Sequence, residues 1–255
     1  GSHKDRQVRR GGEKVLGVQN LSMGNMVRNT SFSVFSGQIT GVFGLIGSGR
    51  TEAAKVVAGV LKRDFFHGGQ VRLNDRPVRY RVPRPAVRDG IIYVTEDRKL
   101  EGFFETMSIA ENIHLAAMAG GRTNSTMVSM SEMHTIAKEW VEALNVRAIN
   151  ADAKVIELSG GNQQKVVVAK ALVQKPKLVI FDEPTRGVDV GAIAEIHQLI
   201  SRLADEGIAV MVISSYLPEV LQLSDRILVC RQGRIVEEFE GHTADEETIM
   251  YAAVH

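Results

Sequence analysis

The chain has 255 residues, of which 44% are hydrophobic and 24% are charged, with a formal net charge of +1 and one cysteine. This length and apolar content are enough for one large α/β domain with its own core. The small net charge implies no overall electrostatic attraction to nucleic acid, and a single cysteine excludes a disulfide within the chain, which suits a reducing compartment. No stretch reaches the roughly 18 unbroken apolar residues of a membrane span, and no signal peptide is visible.

The first residues are predicted to lie outside the folded domain. Gly1 to His3 has the composition of an expression-vector remnant. The charged stretch from Lys4 to Arg10 is typical of a solvated linker. We therefore expect residues 1–13 to be remnant and linker, and the domain to occupy residues 14–255.

A glycine-rich loop follows the apolar strand candidate Ile39 to Phe43 and opens a helix-like stretch from Thr51 to Val60. Strand, loop and helix in this order are the context of a phosphate-binding loop, because glycines let backbone N–H groups turn onto phosphate oxygens. Arg50 stands where the pattern has lysine, and its guanidinium is bulkier and forked. Taken alone, such a loop is equally compatible with an ordinary turn. The candidate phosphate-binding residues are Gly44, Leu45, Ile46, Gly47, Ser48, Gly49, Arg50, Thr51 and Glu52.

Strand-like runs with turns, among them Gln70 to Asp75, continue to about Val94 and predict an antiparallel sheet. Several arginines crowd the same part of the chain. Without a recognition helix, they favour a solvated face over a nucleic-acid site. They are Arg72, Arg76, Arg79, Arg81, Arg84 and Arg88.

From about Met107 to Leu144 the apolar residues recur every three or four positions, which predicts helices. Ser108, with Glu111 three residues later, has the spacing of a capping box for the first of them. A second helical stripe between Ala192 and Leu203 is predicted to pack in the core.

Two further segments carry candidate chemistry. Leu158 to Lys165 reads Leu-Ser-Gly-Gly-Asn-Gln-Gln-Lys and predicts bare backbone amides at a helix start, where phosphate binds well. The apolar run that begins at Leu178 ends in Asp182 and Glu183, which suits one carboxylate for a metal and the next for a water. The hydroxyl of Thr51 would bind the same magnesium ion as Asp182. Each segment alone has an ordinary structural explanation, but the three in this order indicate nucleotide-phosphate chemistry.

From about Val15 to the C-terminus, the chain resembles the nucleotide-binding domain of an ATP-binding-cassette (ABC) transporter. The resemblance implies a P-loop NTPase core, a mainly parallel sheet flanked by helices, with an antiparallel β subdomain and a helical subdomain inserted at about 103–157. It also implies ATP and Mg²⁺ as cofactors. Glu183 matches the general base that polarises the attacking water, and Asp189 matches the D-loop aspartate that faces a partner domain. The motif that acts in trans, the signature, corresponds to Leu158, Ser159, Gly160, Gly161, Asn162 and Gln163.

Thr95 to Lys99, Leu158 to Lys165 and Asp182 to Gly191 resemble the second, C-terminal cassette of bacterial simple-sugar importers of the ribose, galactose and xylose type. An arginine in the phosphate loop is typical of that cassette. The implied partners are the N-terminal cassette of the same ATPase, transmembrane permease subunits and, indirectly, a sugar-binding protein, with no nucleic acid. The implied location is peripheral, on the cytoplasmic face of the bacterial inner membrane.

Three departures from the general cassette pattern weaken the predicted ATP site. Glu96 replaces the usual Q-loop glutamine, and Ser215 replaces the switch histidine, although serine cannot act as a cationic γ-phosphate sensor. No aromatic residue occurs between Leu21 and Asn29 to stack on adenine, so Met23 or Met26 is the substitute surface. We expect a degenerate local site, with the signature completing the partner cassette's site.

Two alternatives belong to other classes of protein. The first is a catalytically silent regulatory module that binds nucleotide and lends its signature; Arg50 and Ser215 favour it and Glu183 opposes it. The second is a soluble cassette protein acting on ribosomes or DNA, for which the interval between Thr51 and Leu158 leaves no room for the long insertions required.

Overall fold

The computed structural model describes residues 7–95, 138, 165–166, 176–241 and 243–255. The predicted helical insertion at 103–157, the Q-loop position Glu96 and the signature at 158–163 lie outside the described residues. No helix within the described ranges is long and apolar enough to cross a membrane.

Four strands form an antiparallel sheet in the first part of the chain, as the sequence predicted. They are β1 (Lys14–Met23), β2 (Val27–Phe35), β4 (Gln70–Leu73) and β5 (Arg76–Val78), in the spatial order β2-β1-β4-β5. Buried and exposed residues largely alternate along β2 and β4, as expected for a sheet that packs one face on the core.

Six strands form the second sheet: β3 (Ile39–Phe43), β6 (Ile91–Thr95), β7 (Leu178–Asp182), β8 (Ala209–Ser214), β9 (Arg226–Arg231) and β10 (Arg234–Glu240). Their spatial order is β10-β9-β3-β8-β7-β6. The pairs β3–β8, β3–β9 and β7–β8 are parallel, and β9–β10 is an antiparallel hairpin. Every residue of β3, β7 and β8 is buried, which explains why these segments read as unbroken apolar runs.

The helices of the described ranges are α1 (Glu52–Val57), α2 (Pro83–Arg88), α3 (Val190–Asp205), α4 (Leu217–Leu223) and α5 (Glu246–Val254). Helix α1 is shorter than the predicted stretch from Thr51 to Val60. It stops because Gly59 takes a left-handed φ of +78°, a common way to end a helix. Along α3, Ile196, Ile200 and Leu203 are buried, which confirms the predicted core stripe.

The chain comprises two compact units. The first contains residues 1–93, 177–183 and 201–255, and the second contains 94–176 and 184–200. The core of the first unit includes apolar residues from both sheets, such as Leu16, Leu21, Ile180 and Met211. Cys230 belongs to this core and is 3% exposed, which confirms its prediction as a small core residue.

The prediction of a solvated linker is wrong at Arg9. Its backbone N–H donates to Asp225 Oδ1 (3.0 Å), and its guanidinium donates to both Asp225 oxygens and to Asp205 Oδ1 (2.7 Å). The Asp225 side chain is fully buried and also accepts the backbone N–H of Ile39 (2.7 Å), the first residue of β3. A buried carboxylate needs such partners, so Arg9 is part of the fold.

Replacing Arg9 with alanine should lower the free energy of unfolding by about 1–3 kcal/mol, because it removes the cation that faces a buried carboxylate. Urea denaturation followed by circular dichroism would measure this. The neighbouring exposed Arg10 provides the control, since Arg10→Ala removes the same charge without a buried partner. Equal loss in the two variants would contradict a specific role for Arg9.

Candidate nucleotide-binding site

The glycine-rich loop joins the end of β3 to the start of α1, the context that the sequence predicted. Gly47 and Gly49 both have left-handed backbones, with φ of +85° and +82°. The Ser48 N–H donates to the Leu45 carbonyl (3.0 Å) and closes the turn. A Cβ on Gly49 would lie 2.5 Å from the Met26 carbonyl oxygen, so only glycine fits there.

Two of the three nitrogens of the Arg50 side chain donate hydrogen bonds to protein oxygens. Its Nη1 donates to the Leu45 carbonyl (3.0 Å), and its Nη2 donates to Glu183 Oε1 (3.1 Å). Both members of this ion pair are largely buried, with side-chain exposures of 11% and 10%. The forked guanidinium thus bridges the beginning of the phosphate loop and the candidate general base, which a single ammonium could not do with the same geometry.

Glu183 follows β7 directly and adopts a left-handed backbone with φ of +51°, unusual for a residue with a side chain. Its N–H donates to the Ile213 carbonyl (2.8 Å). Its Oε1 accepts the backbone N–H of Ser215 (2.8 Å) as well as Arg50. These bonds hold Glu183 in place, and such backbone outliers cluster at functional sites.

Asp182 ends β7 beside the start of α1. Its Oδ1 lies 3.4 Å from the Thr51 hydroxyl, and its Oδ2 accepts a short hydrogen bond from the Tyr93 hydroxyl. Burial raises the pKa of Asp182, an effect that the Tyr93 hydrogen bond opposes and the neighbouring Glu183 charge reinforces. A cation bound beside Asp182 would therefore stabilise the charged form of this carboxylate.

The described residues fit a nucleotide with its metal ion. A hydroxyl and a carboxylate, at Thr51 and Asp182, are the hard oxygen ligands that Mg²⁺ prefers. Two buried polar atoms of the loop, Ser48 Oγ and Arg50 Nε, have no hydrogen-bond partner among the described residues. Phosphate oxygens would supply acceptors for both.

Several neighbours of the loop could not be read from the sequence. Tyr93 on β6 contacts the carboxylate of Asp182, and the hairpin β9–β10 supplies Cys230 and Gly233, which both donate to the Ser48 carbonyl. The only signal in the chain was a glycine after Gln232, typical of a tight hairpin.

The remaining predicted site residues are placed as follows. Met26 is 52% exposed and its backbone touches Gly49, whereas Met23 packs against the core, so Met26 is the available apolar surface. Asp189 is exposed just before α3, next to Val190, which is 86% exposed. Ser215 contributes its backbone N–H to Glu183.

The comparisons with known proteins agree with this geometry. The family model described as ABC transporter matches residues 27–186. The ribose import ATP-binding protein RbsA of Caldanaerobacter subterraneus subsp. tengcongensis is 42% identical over 243 residues, 95% of this chain and 48% of that protein. The ribose import ATP-binding protein RbsA 2 of Rhizobium meliloti is 45% identical over 242 residues, 95% of this chain and 46% of that protein.

Among solved structures, an ATP-binding cassette of an ABC transporter matches with a TM-score of 0.81 at 24% identity, covering 96% of this chain and 100% of that chain. The likeness shows the P-loop ABC fold that the sequence predicted. The chain belongs to the ABC transporter family, whose cassettes are ATPases. It spans about half the length of the curated relatives that it matches.

Replacing Asp182 with asparagine should raise the melting temperature of the nucleotide-free protein and abolish the Mg²⁺ dependence of ATP binding. The amide avoids the cost of a buried charge and can still bond Tyr93 and Thr51, but it is a poor ligand for Mg²⁺. Because the pKa of Asp182 is raised in the folded state, ionisation of this side chain lowers the free energy of unfolding of the native protein as pH rises through that pKa.

The gain in melting temperature should therefore be full at neutral pH and shrink as pH falls towards the ordinary range of aspartate. Scanning calorimetry in magnesium-free buffer would measure it. Thr51→Val is the control that removes a metal ligand without removing a charge. A lower melting temperature for Asp182→Asn at neutral pH would contradict the expectation.

Proposed function

We propose that this chain is an ATP-binding and ATP-hydrolysing cassette that energises the import of a simple sugar. The proposal is supported by the phosphate loop and paired carboxylates at one site, and by relatives that are named ribose import ATP-binding proteins. Mg²⁺ bound by Thr51 and Asp182 would neutralise phosphate charge. Glu183 would orient the attacking water.

The cassette is the second, C-terminal one of a two-cassette ATPase. The length of the relatives leaves room for another cassette, and the arginine in the phosphate loop is typical of the second one. Its partners in this proposal are the N-terminal cassette, the transmembrane permease subunits and, indirectly, a sugar-binding protein. It works at the cytoplasmic face of the bacterial inner membrane.

The contact between Arg50 and Glu183 carries the proposal of a degenerate local site. A general base must be available to the attacking water, but Glu183 Oε1 already accepts a guanidinium and a backbone N–H. Ser215 supplies no cationic ring for a γ-phosphate. This cassette therefore binds MgATP and turns it over slowly, while its signature, Ser159 to Gly161 above all, completes the partner's site.

The same contact favours the second candidate, a catalytically silent nucleotide-binding module. The deciding experiment is calorimetric binding of MgATP to the purified domain, together with steady-state hydrolysis at several protein concentrations. Binding with slow turnover supports the degenerate enzyme, and binding with no turnover supports the silent module. Absence of binding would refute both.

Replacing Arg50 with lysine should raise ATP turnover about tenfold or more. Lysine keeps the positive charge for phosphate but cannot bridge the Leu45 carbonyl and Glu183 together, so it releases the carboxylate. Adding Ser215→His should raise turnover further by supplying the missing sensor. The measurement is the steady-state rate of phosphate release by each variant.

Arg50→Met is the matched control, because it also releases Glu183 but removes the charge that binds phosphate. It should weaken ATP binding rather than raise turnover. The proposed inhibition would be refuted by an Arg50→Lys variant that binds ATP normally and hydrolyses it no faster than the unsubstituted domain.

In the full-length two-cassette protein, Glu183→Gln should leave most of the ATPase activity intact, since the competent site is built on the other phosphate loop. The rate of phosphate release by the purified transporter would test this. The equivalent substitution in the N-terminal cassette is the control and should remove most activity. Complete loss from Glu183→Gln alone would contradict a slow local site.

A further inference from the structure

The carbonyl oxygen of Ser48, in the middle of the phosphate loop, accepts two hydrogen bonds from one hairpin. The backbone N–H of Gly233, in the turn between β9 and β10, donates to it at 2.7 Å. The thiol of Cys230, at the end of β9, donates to it at 3.2 Å. A neutral S–H is a weak donor, and here it adds a second hydrogen bond to the carbonyl that the Gly233 N–H already holds.

The hairpin turn that carries these donors is itself held firmly. Gln232 and Gly233 both have positive φ values, +52° and +80°, the pattern of a tight two-residue hairpin turn. The Gly233 carbonyl accepts the backbone N–H of Arg28 (2.8 Å), and a Cβ on Gly233 would lie 2.6 Å from the Met26 carbonyl. The turns β1–β2 and β9–β10 therefore touch each other and the loop.

The planarity of the peptide bond gives these contacts a consequence for phosphate binding. In a trans peptide the C=O and the following N–H point in opposite directions. Fixing the Ser48 carbonyl towards the hairpin thus turns the Gly49 N–H away from it. Backbone N–H groups oriented in this way are what a phosphate loop offers its ligand.

We propose that Cys230 is a positioning residue for nucleotide binding: together with the Gly233 N–H, its thiol fixes the orientation of the Ser48–Gly49 peptide in the phosphate loop. The inference rests on the proposed ATP site and adds a residue that contacts no ligand. It also assigns a role to the hairpin β9–β10, which lies outside the phosphate-loop and paired-carboxylate motifs.

The chemistry of Cys230 suits this role. It is 3% exposed, and burial raises the pKa of its thiol to about 11, so the proton needed for donation stays on sulfur at neutral pH. A serine at this position would keep an O–H donor in a similar volume, whereas alanine would keep only the small apolar body.

The test measures the Kd of MgATP for three variants of the purified domain by calorimetry. Cys230→Ala should weaken binding about threefold to tenfold, the range for one lost hydrogen bond. Cys230→Ser should bind within about twofold of the unsubstituted domain. Leu228→Val, on the same strand and in the same core cluster, is the control; it should lower the melting temperature without changing the Kd.

A second readout uses Cys230 itself, the only cysteine of the sequence. MgATP should slow its alkylation by iodoacetamide, because a loop held by phosphate covers the thiol more continuously. Binding by Cys230→Ala equal to that of the unsubstituted domain, equal weakening by Leu228→Val, or alkylation unaffected by saturating MgATP would each overturn the inference. By contrast, an unsubstituted domain that binds no MgATP would refute the proposed function itself.

Discussion

The pairing of β8 with both β3 and β7 is the constraint on which the site depends. In this register Phe43 lies opposite Ser214, and Asp182 lies opposite Ile213. The next residues along the three strands are therefore Gly44, Ser215 and Glu183, and they leave the sheet at one edge. Parallel strands place their carboxyl ends together, which is why open α/β sheets bind ligands there. Each of these strands is buried along its full length, as is usual for parallel strands that are covered on both faces.

Electrostatic costs at this edge are offset locally. Asp182 is a buried carboxylate with a raised pKa, and its neighbour Glu183 adds a second negative charge. Arg50 supplies a cation in contact with Glu183, and the Tyr93 and Thr51 hydroxyls form hydrogen bonds with Asp182. The Arg50 guanidinium thus compensates the negative charge of Glu183, as a bound metal ion would compensate that of Asp182. Loss of the positive charge would leave two adjacent carboxylates poorly compensated.

The sequence predicted those parts of the fold and site that depend on local pattern. The loop from Gly44 to Thr51 and the end of β7 were found because glycine spacing and an apolar run ending in carboxylates are local signals. The contacts of Tyr93 and Cys230 join residues from distant segments, and no local pattern encodes them. The same holds for Arg9. Its charge predicted a solvated linker, because its buried partner Asp225 lies 216 positions away in the sequence.

If the local site is slow, as proposed, the presence of Glu183 there still has a structural explanation that is independent of catalysis. Its left-handed backbone costs about 1 kcal/mol or more, and its hydrogen bonds to Ile213, Ser215 and Arg50 offset that cost. Removing the side chain would leave the largely buried Arg50 without its hydrogen-bonded carboxylate and the Ser215 N–H without this acceptor. A cassette that no longer needed rapid hydrolysis would still need this glutamate to join β7, β8 and the phosphate loop. A carboxylate at this position is therefore only weak evidence for ATP turnover. Whether Arg50 is hydrogen-bonded to that carboxylate is the stronger evidence.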